Sequence, residues 1–270
     1  YGSSSTTIQL ISPLTKETVS TDNVGGGNWG VAGGDIHQIK TIADTSSPTS
    51  GVASGETKTT STLSPASSES TVVVRVPEDC STLKEAVDKV HEDSDLTTIV
   101  VGEGKHKIDG DFLMVSSAMN IVGDPEVAKE EIVVVGGIWI EKRIQGNCHL
   151  QHMTLRQAKH GGVAGHSSFT MEDVLVEQSG VGGVYALGTG VVGRCTNVEV
   201  RQCEACGVAA SKGASITLIG AKTTVHHNCT EGESDEYGLY VHGSSSSAIQ
   251  LIAPLTKETV SIDNGGGGNW

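Results

Sequence analysis

The chain has 270 residues, of which 36% are apolar, 3% aromatic and 35 in number are glycine, with a formal charge of −14. A core of Val, Ile, Leu and Ala punctuated by glycine suits thin stacked layers better than a broad sandwich. The negative charge argues against nucleic acid and anionic membrane as partners, since both are negative themselves, and no apolar run is long enough to span a bilayer.

In chain order, the first feature is a duplication. Residues 3–29 (SSSTTIQLISPLTKETVSTDNVGGGNW) and 244–270 (SSSSAIQLIAPLTKETVSIDNGGGGNW) are identical at 22 of 27 positions at an offset of 241, differing only at positions 6, 7, 12, 21 and 24 of the first copy. Two coils of one repeat protein rarely agree so closely. Segment 1–29 therefore reads as the terminal rung of a preceding tandem unit of about 241 residues. Residues 30–70 read as a linker, because 45–70 (TSSPTSGVASGETKTTSTLSPASSES) cannot bury enough apolar surface to offset its ordering entropy. As a flexible coil its ends would lie about 35 Å apart.

A domain over 71–270 follows. It opens with a strand at 71–76 and an amphipathic helix at about 82–91, capped by Ser81 or Asp79, with Leu83, Ala86, Val87 and Val90 on one face. A helix this short needs a surface to cover, and the open apolar end of a first coil supplies one.

The internal repeat then fixes the architecture. HMTLRQAKHGGV (152–163), DVLVEQSGVGGV (173–184), NVEVRQCEACGV (197–208) and TTVHHN (223–228) align at spacings of 21, 24 and 25 residues, with a second short strand beginning near Phe169, Val191, Ile216 and Ile249. Period-two alternation points Met153, Leu155, Val174, Val176, Val198, Val200 and Val225 inward, and Arg156, Glu177, Arg201 and His226 outward. The outward column alternates in sign over its first three rungs. Beside it, Gln157, Gln178, Gln202 and His227 form a second column, expected to hydrogen-bond along the axis as stacked amides do. Both ladders together predict an all-β fold: a right-handed parallel β-helix, or solenoid, with a short N-terminal capping α-helix.

The motifs VRVPEDCSTLKEAV, TTIVVGEGKHKI, MNIVGD, HLQHMTLRQA, SSFTMEDVLVEQ, CTNVEVRQCEACGV, GASITLIGAKTTVHHNCT and IQLIAPLTKETVSIDNGGGGNW resemble β-helix repeat proteins encoded in large numbers by diatoms. The resemblance covers residues 72–270, with 1–29 as a second copy of its ending. It implies the pectin-lyase-like right-handed β-helix; the relatives themselves are mostly of unassigned function.

Enzymes on that fold set acids, bases and metal ligands along one strand face. Here the Gly-Val strand displays Ala164, Tyr185, Ala209 and Tyr240, without stacked Asp, Arg or Lys. Neither the Asp pair with Arg and Gln of pectin methylesterases nor the calcium-holding Asp cluster of pectate lyases is visible. One loop, 226–237, gathers carboxylates beside a His pair, so His226, His227, Asp235, Glu236 and Tyr240 form the candidate site for sugar or metal chemistry. The plainer reading, an acidic solvated insertion whose His pair continues the two ladders, is preferred. The six cysteines include a single Cys203-x-x-Cys206, which lacks the second pair a structural zinc site needs, and read as buried thiols. Asn228-Cys229-Thr230 is the one complete N-glycosylation sequon, so Asn228 is a candidate glycan acceptor. Gly265–Gly268 release the chain, and Asn269-Trp270 can fold back over the open end or reach a neighbouring domain. The expectation is a structural or adhesive scaffold of tandem β-helices associating end to end into fibres, outside the cell or at its surface, with no cofactor and no catalytic role. The alternative is a carbohydrate-binding or polysaccharide-modifying module.

Overall fold

The computed structural model describes residues 6–11, 34–39, 73–231, 233–243 and 246–270. The chain divides into two units, Tyr1–Ala66 and Ser67–Trp270. In the first, β1 (Thr6–Ile11) pairs in parallel with β2 (Gly34–Ile39), with Ile8 opposite Ile36. Strand β2 falls inside the span 30–70 that composition assigns to a linker. The Ser/Thr-rich tract begins only at residue 45, and Asp35–Ile39 carries a strand-competent alternation. The tract itself and most of 1–29 lie outside the described residues.

The second unit is a right-handed parallel β-helix of about six turns. The first face stacks β3 (Val73–Val76), β4 (Thr98–Val101), β6 (Asn120–Gly123), the front halves of β8 (Cys148–Arg156) and β10 (Phe169–Glu177), β12 (Val192–Thr196), β15 (Ser215–Ile219) and β18 (Ala248–Leu251). The second stacks the front halves of β5 (Gly104–Val115) and β7 (Ile132–Ile140), the back halves of β8 and β10, then β13 (Glu199–Arg201), β16 (Thr224–His226) and β19 (Ser261–Ile262). The third stacks the back halves of β5 and β7 with β9 (Val163–Gly165), β11 (Val184–Leu187), β14 (Val208–Ser211) and β17 (Leu239–His242).

Helix α1 (Leu83–Glu92) lies between β3 and β4 in the chain and buries Leu83, Ala86, Val87 and Val90. Its cap is neither Ser81 nor Asp79 but Thr82, whose hydroxyl accepts from the Glu85 N–H, while the Glu85 carboxylate accepts from the Ser81 N–H. Asp79 instead accepts from the Arg75 N–H.

In-register stacking builds the core. Val134, Leu155, Val176, Val200 and Val225 form one inward column on the second face, each at most 1% exposed. Each such burial contributes about 1.5–3 kcal/mol. On the first face, Phe169 stands in register with Gly193 and not with Val191, as the repeat spacing suggests. A Cβ on Gly193 would lie 2.7 Å from the Phe169 ring, so the large ring needs the empty position beside it.

Two of the three bends in each coil use a left-handed residue at a fixed place in the repeat. Between first and second faces the chain passes through the left-handed region at His152 (φ 53°), Asp173 (50°) and Asn197 (52°), and the column continues into Gly220 (86°). Leaving the second face, Gln157, Gln178, Gln202 and His227 do the same at φ 54–56°. These glutamines are therefore turn residues. Among the described residues no hydrogen bond links their side-chain amides; their backbone N–H groups carry the axial contact, Gln157 to the Glu177 carbonyl and Gln178 to that of Arg201.

An amide ladder does exist, one position further on. The Asn228 side chain donates to the Val200 carbonyl and to Asn264 Oδ1, and accepts from the Cys203 N–H. Asn264 donates in turn to the Val225 carbonyl. Asn228 is 1% exposed, so the nitrogen a glycan would occupy is enclosed and already bonded, which removes Asn228 as an acceptor in the folded chain. At the C-terminal end, the carbonyls of Gly268 and Asn269 accept from the Gly238 and Leu239 N–H groups, and Trp270 folds back with Lys257 Nζ 5.8 Å from its ring centre.

Candidate functional site

Strand alternation on the third face sends one residue per coil outward. In register these are Met114, Trp139, Ala164, Tyr185, Ala209 and Tyr240. Ring and small side chain alternate from Trp139 onward. Parallel strands lie about 4.8 Å apart, so the rings recur about every 10 Å along the axis.

Each ring has a built environment. Trp139 meets Phe112 edge-on at 5.3 Å and His166 at 4.4 Å, and Phe112 stacks on His160 at 5.6 Å. Tyr185 lies across the glycines of the preceding turns; a Cβ at Gly182 would stand 2.3 Å from its hydroxyl and one at Gly161 3.3 Å from its ring. Tyr240 stacks on Tyr237 at 5.9 Å, and its hydroxyl is 3.0 Å from His242 Nδ1. Trp139, Tyr185 and Tyr240 are half-buried, whereas Ala164 and Ala209 are 6% and 4% exposed beneath them. Among the described residues, Phe169 is the one Phe, Tyr or Trp buried in the core.

Both tyrosine hydroxyls are engaged within the face, Tyr185 with Cys206 Sγ at 3.4 Å and Tyr240 with His242. Burial, with the nearby Cys206, pushes the Tyr185 hydroxyl far above the usual tyrosine value, and burial with Asp235 raises Tyr240. Burial and the charges of Lys142 and Lys212 hold His166 below the usual histidine value, and its Nε2 is buried without a hydrogen bond. Beside it, Trp139, Glu141, Lys142, Arg143 and His166 line a hollow of about 420 Å³.

The second face carries the charged column. The structure places Arg156, Glu177, Arg201 and His226 in register, as the repeat spacing orders them. The column is not uniformly solvated, as an outward file would be: the Glu177 side chain is only 4% exposed. Both its oxygens are taken, one by Arg156 Nε and the other by Arg201 at 2.8 Å. Arg201 also reaches Glu199 at 3.0 Å, and Glu199 lies 3.2 Å from His226 Nε2. Burial pushes the Glu177 carboxyl up, but hydrogen bonds and charge from Arg201 and Arg156 outweigh it and hold the group below the ordinary glutamate range.

The candidate residues of loop 226–237 divide between two faces, with Asp235 and Glu236 near enough to Tyr240 for their charge to raise its hydroxyl. His226 belongs to the second face, bonded to Glu199 and 2.8 Å from His227. Tyr240 belongs to the third face, bonded to His242. Asp235 is exposed, and Glu236 accepts from the Glu233 N–H. Among the described residues no group of three or more His, Cys, Asp or Glu is arranged to hold a metal ion. All six cysteines are buried and free, and burial raises Cys203 to about 11 and Cys195 and Cys229 to about 12, far from nucleophilic thiols.

Sequence reasoning found Tyr185 and Tyr240 but passed over Trp139, Phe112 and His166. The repeat alignment starts at residue 152, one coil too late for Trp139. The signal was Gly136-Gly137-Ile138-Trp139, which has the same Gly-Gly-apolar-x pattern as Gly161-Gly162-Val163-Ala164 and Gly182-Gly183-Val184-Tyr185.

These features define a parallel β-helix with a ring-bearing face and an ion-paired face. No family model matches the chain, and no curated protein does. Among solved structures it is similar to the catalytic domain of a GH87 alpha-1,3-glucanase, D1069A, in complex with tetrasaccharides, at a TM-score of 0.38 and 16% identity. The match covers 73% of this chain and 41% of that one, so the chain spans less than half of the neighbour's length. A likeness this distant adds nothing to the chemistry of either face.

Proposed function

We propose that the solenoid is a non-catalytic glycan-binding module whose third face is the platform. The observation that carries this reading is the alternation of Trp139, Tyr185 and Tyr240 with Ala164 and Ala209. Pyranose rings present apolar C–H faces that pack on aromatic rings. Rings about 10 Å apart match an extended glycan contacted at every second sugar, with the alanine positions leaving room for the sugars between. The chain's net charge of −14 disfavours polyuronates, so the glycan is an uncharged one. The outward column of this face carries rings and alanines with no carboxylate or histidine within it, which favours binding over cleavage.

The test is a pull-down and calorimetric series with neutral linear polysaccharides. Replacing Trp139, Tyr185 or Tyr240 by Ala should each weaken binding about tenfold, equivalent to about 1.4 kcal/mol. If the triple variant, folded by circular dichroism, binds as the wild type does, or if the wild type binds none of them, the reading fails.

A second reading, end-to-end association as a scaffold, rests on a separate observation. The last coil leaves core-type residues Leu239, Ile249 and Leu251 lining a hollow of about 330 Å³ with Trp270. Sedimentation of the chain with and without residues 1–34 tests it, and a clean monomer for both at high concentration would refute it.

A further inference from the structure

The second face holds a hollow that neither reading uses. It has a volume of about 450 Å³ and is lined by Lys105, Arg156 and Arg201, with Glu177 as its one carboxylate, by Val133 and Val135, and by the turn amides of Gln157, Gln178 and Gln202. Three cations line it against one carboxylate, and with Glu199 paired to Arg201 at its edge the hollow still keeps a net positive charge in a chain whose total is −14.

The donors in it are unevenly used. Arg201 spends its guanidinium on Glu177 and Glu199. Arg156 gives only Nε to Glu177, and its two η nitrogens make no hydrogen bond with any described residue. Lys105 forms no ion pair among the described residues, and in the register its neighbour on the next coil is the apolar Val133. Lys107 likewise faces Val135. The sign alternation that neutralises Arg156, Glu177 and Arg201 therefore stops at Arg156. From there toward the N-terminal end the column is cationic, with valines where carboxylates would complete it. The side-chain amides of Gln157 and Gln178 stand beside Arg156 without hydrogen-bond partners among the described residues, and each offers two N–H donors.

We infer that this hollow is a binding site for a single oxyanion group, a carboxylate or sulfate carried on a small molecule. The Arg156 η nitrogens form the planar two-toothed donor that suits such a group, and Lys105 supplies the second charge across the valine floor. Glu177 does not compete for the ligand, because its own lone pairs face the two arginines. It fixes the Arg156 guanidinium by Nε and so orients the free edge. The site lies on the second face, so it stands or falls independently of the glycan platform on the third.

The experiment is an NMR or calorimetric titration of the intact chain with sodium sulfate, sodium acetate and sodium glucuronate, at ionic strength held constant with chloride. A protein this acidic repels anions at long range, so saturable one-to-one binding reports a built site. Sulfate and the two carboxylates should each saturate and compete; preference among them identifies which oxyanion the geometry takes. Lys105→Gln should weaken binding at least tenfold. Gln157→Glu, which places a carboxylate in the hollow and leaves the Arg156–Glu177–Arg201 chain intact, should abolish it. Lys222→Gln, on an exposed turn outside the hollow, should leave it unchanged. No saturable binding by the wild type, or equal binding by Lys105→Gln and Gln157→Glu in chains that melt as the wild type does, would overturn the inference.

Discussion

Glu177 is enclosed between two arginines, and that changes what its replacement should cost. An exposed like-charge column would make Glu177→Lys a matter of a few tenths to about 1 kcal/mol. With the carboxylate 4% exposed and both oxygens bonded, removal leaves two guanidinium groups facing each other in a confined space. Because both arginines keep about a third of their side chains exposed, the expected loss is about 1–3 kcal/mol, read as a drop in denaturant midpoint; an unchanged midpoint would mean that Glu177 does not hold the two arginines together. The pH dependence follows from the depressed carboxyl. Its contribution is complete above the ordinary glutamate pKa of about 4.3, and fades as pH falls through the lower folded value. Wild-type stability should therefore decline more steeply than that of Glu177→Gln below about pH 4. The order Arg, Glu, Arg, His was legible because strand period two and the repeat length fix register. Enclosure was not legible, since it depends on how long side chains on adjacent coils close over one another.

At the level of elements, the bends carry information that spacing alone does not hold. Gln157, Gln178 and Gln202 recur at the repeat period whether they stack as amides or turn the chain. Only φ near 55° decides for the turn. The amide ladder that bonds inside the coil is Asn228 over Asn264, which the sequence disguises as a glycosylation motif at one and a chain ending at the other. Asn228→Ala would orphan the Cys203 N–H and the Val200 carbonyl in a site 1% exposed, so it should cost about 2–4 kcal/mol. Thr230→Ala, which destroys the same sequon from an exposed position, should be nearly neutral. Equal stability of the two variants would show that the ladder contributes nothing. The capping helix, by contrast, was readable to its four buried residues, because Leu83, Ala86, Val87 and Val90 satisfy helical period on an otherwise polar segment. Its N-cap is Thr82 and not Ser81 or Asp79, one and three residues earlier, since all three have capping side chains.

For the whole molecule, the property that matters is that a solenoid converts sequence period into a ruler. A residue type repeated every coil recurs about every 4.8 Å, and one repeated every second coil about every 10 Å. A globular core cannot set such spacings from local sequence alone. If the third face reads glycan length, then ring spacing and not ring count must govern affinity, and the two can be separated. The double substitution Trp139→Ala with Ala164→Trp keeps the number and kind of rings but moves one by a single coil. Tyr185 would then have a ring on the coil before it and none two coils before it, while Tyr240 keeps its place two coils after it. Binding of an extended neutral glycan should fall about as far as in Trp139→Ala alone, while binding of a single-site monosaccharide probe should change little. A face that attracts sugars merely by exposed aromatic area would instead regain wild-type affinity in the double variant. That outcome, in a chain with unaltered circular dichroism, would reject the periodic platform and leave only a sticky surface.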